Sequence, residues 1–164
     1  MDQNFTRSVL SWYDAGHRDL PWRHTKDAYR IWISEIMLQQ TRVEAVKPYF
    51  DRFMEVLPTV YDLAKVDDDR LMKLWEGLGY YNRARNLKAA AQTIVEEYGG
   101  QLPADYDKLL SLKGIGMYTA GAIGSIAFEL QVPAVDGNVL RVLTRLWGDD
   151  SDILKDKTKK AMGR

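Results

Sequence analysis

The sequence predicts an all-α protein built from about nine or ten short helices around one core. Apolar residues recur at intervals of three and four along most of the chain, and no stretch alternates between apolar and polar residues as a half-buried strand would. Pro, Gly and Asp interrupt this periodicity at the points where helices start and stop. A single domain of 164 residues is large enough to bury roughly 70% of its unfolded surface.

The composition excludes several classes of site. The chain has no Cys, so it offers no disulfide, thiolate nucleophile or Cys-based zinc or iron–sulfur site, and it has only two His. Basic and acidic residues number 23 each, so any binding of nucleic acid has to rely on a local patch and on oriented backbone dipoles. Neither a signal-length nor a membrane-length apolar run is present, which predicts an intracellular, cytoplasmic protein without membrane contact.

The first helix is expected at residues 4–15, where four apolar side chains share one face: Phe5, Val9, Trp12 and Tyr13. Residues 16–23 then form a non-periodic connection that contains Arg18, Trp22 and Arg23. A surface loop is one interpretation of this connection. Trp and Arg side by side are also suited to the wall of a pocket that stacks on and hydrogen-bonds a flat base.

Residues 28–40 predict a helix that is apolar almost all round and therefore buried, with Ser34 and Glu35 as its polar interruptions. Glu35 faces either a narrow solvent edge or a cavity. In a cavity, desolvation would raise its pKa and make it a general acid. Gln39, Gln40 and Thr41 follow, and their side chains are polar and short enough to probe a groove.

Glycine turns mark two further segments. After Gly77-Leu78-Gly79 come Tyr80, Tyr81, Arg83 and Arg85, which suit stacking on unpaired bases and contact with phosphate, or simply pack and solvate a helix start. In Leu112-Lys113-Gly114-Ile115-Gly116, backbone N–H groups and the following helix dipole would bind an anion, although an ordinary Gly-containing loop is the alternative. Small residues in 118–130 would allow another helix to approach closely.

Asp136 stands where the N-cap of a helix belongs, after Pro133 and before an apolar periodic run. Backbone N–H donors and the helix dipole would favour its carboxylate form, and a fixed anion is suited to stabilising a developing cation. Capping and catalysis are compatible, because one carboxylate oxygen can cap while the other remains available.

Five ordered motifs resemble those of the adenine DNA glycosylases in the helix-hairpin-helix DNA glycosylase superfamily, and the resemblance extends from about Trp12 to Trp147. The motifs are Leu20-Pro21-Trp22, Ser34-Glu35-Ile36-Met37-Leu38-Gln39-Gln40-Thr41, Gly77-Leu78-Gly79-Tyr80-Tyr81-Asn82-Arg83-Ala84, Leu112-Lys113-Gly114-Ile115-Gly116 and Asp136-Gly137-Asn138-Val139. The resemblance implies monofunctional excision of adenine opposite 8-oxoguanine in duplex DNA, within base excision repair, without an obligate protein partner.

The resemblance also implies the domain layout. Residues 28–147 would form a six-helix barrel with the helix-hairpin-helix near 105–130, residues 1–27 would supply a helix of a second subdomain and the connection beside the base, and 148–164 would be a polar tail.

The roles of individual residues follow from the same resemblance. Glu35 would protonate adenine N7, and Asp136 would stabilise the oxocarbenium-like sugar or bond to it transiently, with Tyr118 and Asn138 orienting the two carboxyl groups. The extruded adenine would be bordered by Arg18, Trp22 and Arg23. Gln39 and Tyr80 are implied as the wedges that enter the DNA, with Thr41 and Leu78 beside them. The other residues implied in DNA contact are Gln40, Arg83 and, at the hairpin, Lys113, Gly114 and Gly116. A cation is implied on the carbonyl groups of Leu110, Leu112 and Ile115.

The family continues into further helices, a four-cysteine [4Fe–4S] loop and a domain that helps to read 8-oxoguanine. We therefore expect the chain as given to be a catalytic portion that binds DNA weakly and excises little, with a first helix that re-docks, pairs with a second copy or stays mobile. Two rival functions remain at this stage. An endonuclease III type of glycosylase and lyase would carry Lys at the position of Tyr118, and a non-catalytic helix-hairpin-helix module would only bind DNA.

Overall fold

The computed structural model describes residues 3–148, and within that range it contains helices but no strand. The helices are α1 (Gln3–Gly16), a 3-10 turn (Pro21–Arg23), α2 (Ala28–Leu38), α3 (Val43–Val56), α4 (Val60–Lys65), α5 (Asp68–Trp75), α6 (Asn82–Tyr98), α7 (Tyr106–Ser111), α8 (Met117–Phe128) and α9 (Gly137–Trp147). The all-α prediction is confirmed. Almost all of the predicted polar tail, from residue 149 onward, lies outside the described residues.

Helix α2 occupies the centre of the fold. Trp32, Ile33 and Met37 are completely inaccessible to solvent, and the helix packs against α3, α8 and the 3-10 turn. The remaining helices surround this core, with α3 against α5, α5 against α6, α6 against α4 and α7 against α8. The buried helix predicted for residues 28–40 is confirmed, except that it ends at Leu38.

Short polar side chains cap the helices at the positions that the sequence indicates. Asp27, Asp67 and Asp105 accept backbone N–H bonds at the starts of α2, α5 and α7, and Thr59 forms a capping box with Asp62 at the start of α4. Because these bonds satisfy N–H groups that have no partner inside the helix, they fix where each helix begins.

Helix α1 forms as predicted but leaves its apolar side chains in solvent. Trp12 is 72% exposed and Leu10 is 56% exposed, so re-docking onto the core is not what the structure shows. Apolar side chains near the end of α9, among them Trp147, are exposed as well. None of the helices among residues 3–148 is long and apolar enough to cross a lipid bilayer.

The helix-hairpin-helix consists of α7, the 112–116 turn and α8. Gly114 has a φ of 82°, a left-handed conformation that favours glycine, and the Ile115 N–H donates to the Leu112 carbonyl at 3.1 Å to close the turn. Gly116 then precedes α8 in extended conformation. The turn, whose residues 113, 114 and 116 are exposed, thus leads directly to the N-terminus of the 12-residue helix α8.

Gly121 on α8 allows a close backbone approach that positions the segment leading to Asp136. A Cβ atom at this position would lie 2.1 Å from the Pro133 carbonyl oxygen, a distance that no side chain tolerates. The partner at this glycine is therefore the irregular 133–134 backbone, whereas the sequence predicted a helix there. α2 packs against α8 as well.

We expect Gly121→Ala to lower the free energy of unfolding by about 2 kcal/mol or more, because the methyl group has to displace main-chain atoms. Gly16→Ala is the matched control, since a Cβ there would contact nothing within 4 Å. The control should be neutral or stabilising by up to about 1 kcal/mol. Urea denaturation of both variants measures this, and equal stabilities would contradict the close approach.

Candidate active site and DNA-facing loops

A cavity of about 450 Å³ brings together six of the predicted site residues. It lies between the end of α1, the 3-10 turn, α2, α8 and the N-terminus of α9. The six are Arg18, Trp22, Arg23, Glu35, Tyr118 and Asp136. These residues are spread over more than a hundred positions of the sequence, so their convergence is a property of the fold.

Glu35 is half-buried on α2 and faces this cavity. Burial raises the pKa of its carboxyl group, and the nearby Asp136 charge raises it further. A hydrogen bond with the Tyr118 side chain and the positive charge of Arg23 oppose part of that rise, but the net pKa shift is upward. Glu35 therefore holds its proton to a higher pH than an exposed Glu, as a general acid requires.

Tyr118 is the second residue of α8, and its side chain lines the same cavity as Glu35. Burial raises the pKa of its phenol, and the two nearby carboxyl groups raise it further. The phenol thus stays protonated and can donate a hydrogen bond to Glu35. A neutral phenol at this place orients the acid and is not itself a base at neutral pH.

Asp136 is the N-cap of α9, as the sequence predicts. Its Oδ1 accepts the Val139 N–H at 2.8 Å, and its Oδ2 accepts the Asn138 side-chain amide at 3.1 Å. Arg141 donates in turn to the Asn138 side-chain oxygen at 3.5 Å. The sequence did not single out Arg141, and its spacing of three residues from Asn138 on one helix is the signal that could have found it.

Of the residues predicted to border a base, Trp22 belongs mainly to the core, whereas Arg18 and Arg23 lie in the exposed connection after α1. Trp22 is only 7% exposed and packs edge-to-face on Phe50 with ring centroids 5.4 Å apart, so it is mainly a core residue that reaches the cavity. Arg23 donates to the Arg18 carbonyl at 2.9 Å and lies over the ring of Tyr13, 5.4 Å from its centroid. Tyr13 lines the cavity too, although the sequence placed it only on the apolar face of α1.

Two loops that are distant in sequence border one surface groove of about 710 Å³. Gln39 and Gln40 contribute from the end of α2, and Tyr80 and Tyr81 contribute from the turn before α6. Tyr80 is 62% exposed. Gln40 and Tyr80 have φ values of 60° and 48°, a conformation that non-glycine residues adopt rarely and at some cost in strain. The two predicted wedge segments are thus neighbours.

Leu78 and Arg83 were predicted to contact DNA; both are buried, and their contact with DNA stays a prediction. Leu78 is 5% exposed and belongs to the core, because Gly77 and Gly79 turn the chain so that its side chain points inward. Arg83 is 9% exposed, and both of its terminal nitrogens donate to backbone carbonyl groups. These bonds fix the guanidinium to the two loops, and Arg83 also lines the groove that they border.

At the hairpin, Lys113, Gly114 and Gly116 are exposed as phosphate contact requires, whereas Leu112 and Ile115 are buried. The Leu112 carbonyl already accepts the Ile115 N–H, which leaves one lone pair for a cation. The cation on this carbonyl and those of Leu110 and Ile115 stays a prediction. A [4Fe–4S] cluster does not fit the residues present, because the sequence holds no Cys to ligate it.

Comparison with known proteins gives one family and a consistent set of relatives. The model of the HhH-GPD superfamily of base excision DNA repair proteins matches residues 33–164. The adenine DNA glycosylase of Rattus norvegicus is 48% identical over 151 residues, which covers 87% of this chain and 29% of the rat protein. This chain therefore spans less than a third of that relative's length.

Two solved structures resemble the fold closely. A thermostable thymine-DNA glycosylase superposes with a TM-score of 0.89 at 32% identity, covering 98% of this chain and 74% of that chain. A trapped endonuclease III–DNA covalent intermediate gives 0.79 at 26% identity, covering 96% of this chain and 76% of that chain. Together with the rat protein, they confirm the resemblance that the five motifs predicted.

The raised pKa of Glu35 predicts how a Glu35→Gln substitution changes stability with pH. The folded state binds this proton more tightly than the unfolded state, so stability falls as pH rises from the ordinary pKa of 4.5 through the folded value. The variant lacks this loss, so its stability relative to the wild type should improve as pH rises. Glu55→Gln on exposed α3 surface is the control. Thermal melting across pH measures both, and parallel curves for all three proteins would contradict the shift.

Proposed function

The chain belongs to the HhH-GPD superfamily of base excision DNA repair proteins, and we propose that it hydrolyses the N-glycosidic bond of adenine paired with 8-oxoguanine in duplex DNA. One observation carries the proposal: Glu35, a carboxyl group with a raised pKa, and Asp136, a carboxylate held by a helix cap, line the same cavity. The similarity of the fold to those of a thymine-DNA glycosylase and of endonuclease III supports the reaction class.

Glu35 supplies the proton in this mechanism. Adenine is a poor leaving group until a ring nitrogen is protonated, and Glu35 would deliver that proton to N7. A positioned general acid contributes roughly 10²- to 10⁴-fold to such a reaction. Tyr118 keeps the carboxyl oriented, and because its pKa is raised its phenol stays protonated and acts as a hydrogen-bond donor to Glu35.

Asp136 supplies the negative charge. As the C1′–N9 bond breaks, positive charge develops on the deoxyribose, and an anion that is already oriented stabilises it without reorganisation. A water oxygen then bonds to C1′ and its proton is released to solvent, which completes the hydrolysis. The Val139 N–H and the Asn138 amide fix the carboxylate from the side of α9. The two carboxyl groups thus take different roles because their surroundings differ, one desolvated and one hydrogen-bonded.

The cavity accepts a base only after it has left the helix stack. Flipping a nucleotide costs a few kcal/mol. Contacts of the protein with the space that the base leaves and with the DNA backbone have to offset this cost. Gln39 and the exposed Tyr80 line one groove and would act as wedges, and the hairpin N–H groups with the N-terminus of α8 would hold a phosphate. Aromatic stacking of Tyr80 on a base would contribute about 1 to 3 kcal/mol.

The identity of the base is supported by the sequence relatives, since the rat protein at 48% identity is an adenine DNA glycosylase. The structural likeness to a thymine-DNA glycosylase makes thymine the competing substrate. Duplexes with adenine opposite 8-oxoguanine, adenine opposite thymine and thymine opposite guanine therefore separate the candidates. We expect excision from the first duplex in preference to the other two.

In single-turnover assays we expect Glu35→Gln to slow adenine release by at least about 100-fold while duplex binding survives, because the amide keeps the shape but has no acidic proton. Glu55→Gln, on the exposed surface of α3, should match the wild type. Undiminished excision by the Glu35 variant would refute the assignment. A wild type that binds DNA and releases no base would favour a binding module.

Borohydride trapping distinguishes hydrolysis from the lyase chemistry of an endonuclease III type of enzyme. The position where a lyase would carry Lys holds Tyr118, whose phenol cannot form an imine with the sugar. A covalent adduct that persists after Lys113→Ala would show that another amine acts as the nucleophile.

A further inference from the structure

Arg83 hydrogen-bonds to two segments that lie far apart in the sequence. Its Nη1 donates to the carbonyl oxygens of Ile36 at 2.8 Å, Met37 at 3.1 Å and Gln39 at 2.6 Å. Its Nη2 donates to those of Leu78 at 3.0 Å and Gly79 at 3.2 Å. One guanidinium thus bridges the last turn of α2, the loop that follows it and the turn before α6.

The positive charge of Arg83 lies against backbone carbonyl dipoles and two aromatic rings. The carbonyl groups at the end of α2 form the negative end of its macrodipole, where an Arg is favourable. The guanidinium also lies 5.3 Å from the ring centroid of Trp75 and 5.6 Å from that of Tyr80. Removing Arg83 would therefore release a carbonyl cluster and an exposed aromatic ring at the same time.

The two loops held by Arg83 are those that contain the strained residues Gln40 and Tyr80. Such conformations persist only where surrounding contacts enforce them. Arg83 bonds to the carbonyl group immediately before each of them, that of Gln39 and that of Gly79. One residue therefore constrains both strained positions from the protein interior.

We propose that Arg83 is a positioning residue that locks the 39–41 loop to the 78–80 loop, so that both enter the duplex as one preassembled wedge. The proposal rests on the proposed function, because it assigns the loops to base extrusion. It also explains why an Arg is needed. A Lys ammonium carries the same charge but has a single nitrogen with three donors, and it cannot reach five carbonyl groups on two sides.

The test compares wild type, Arg83→Lys and the control Arg52→Lys. Arg52 is exposed and donates to the Leu74 carbonyl at 3.2 Å, so the control removes a similar but peripheral bond. Three quantities are measured for each protein: single-turnover adenine excision against pH, the salt dependence of duplex binding, and base extrusion. Extrusion is read in a Glu35→Gln background from the fluorescence of 2-aminopurine in place of adenine.

We expect Arg83→Lys to slow excision at least about tenfold, within the 100-fold that a 1 Å misplacement can cost. The fluorescence increase on binding should fall with it, and the shape of the pH profile should not change because Glu35 is untouched. The salt slope should stay within a few tenths of the wild type. Arg52→Lys should leave all three unchanged. Excision by Arg83→Lys within about twofold of wild type would overturn the proposal.

A direct phosphate contact by Arg83 would give a different result, because Arg83→Gln would then lower the salt slope by about one. That outcome also overturns the proposal. If Arg83→Lys does not fold, hydrogen exchange of the wild type decides: the Thr41 and Leu78 amides should show protection factors within about tenfold of each other, and larger divergence contradicts the lock. A wild type without adenine excision refutes the proposed function alone, since the salt slope and exchange still test Arg83.

Discussion

The burial of α2 is the constraint on which both halves of the site depend. A helix with almost no solvent-facing side forces its one carboxyl group, Glu35, to lie against a cavity and to lose most of its hydration. The last carbonyl groups of a helix have no intrahelical donor. In α2, Arg83 donates hydrogen bonds to two of them, those of Ile36 and Met37. The acid and the anchored loop are therefore two consequences of one packing arrangement.

The proposed hydrolysis requires two carboxyl groups, one that donates a proton and one that stabilises positive charge, and Glu35 and Asp136 line the same cavity. Glu35 is desolvated, and the charge of Asp136 reinforces the preference for its neutral form. The Asp136 carboxyl group accepts one hydrogen bond from a backbone N–H and one from a side-chain amide. The close contact between Gly121 and the Pro133 carbonyl holds the second group in place. Main-chain packing therefore helps to keep the Asp136 carboxyl group near Glu35, where its charge raises the Glu35 pKa.

Local signals allowed much of this to be predicted from the sequence. Apolar periodicity and capping residues located the helices, and the lone Glu in an apolar helix identified Glu35. The burial of Arg83 and Leu78 was not predicted, because it depends on tertiary packing, and an Arg beside aromatic residues has the same sequence pattern whether it faces DNA or carbonyl groups. Tyr13 was missed because its position beside the cavity and under Arg23 depends on tertiary packing.

The most direct test of the account is a titration of the Glu35 side-chain carboxyl by carbon-detected NMR, assigned through the Glu35→Gln variant. The account predicts a midpoint clearly above the ordinary value of 4.5, so that the protonated fraction and the excision rate decline together as pH rises. Mutation of Asp136 to Asn should move the midpoint downward, because a neighbouring negative charge is removed. A midpoint at or below 4.5 would contradict the assignment of Glu35 as the acid.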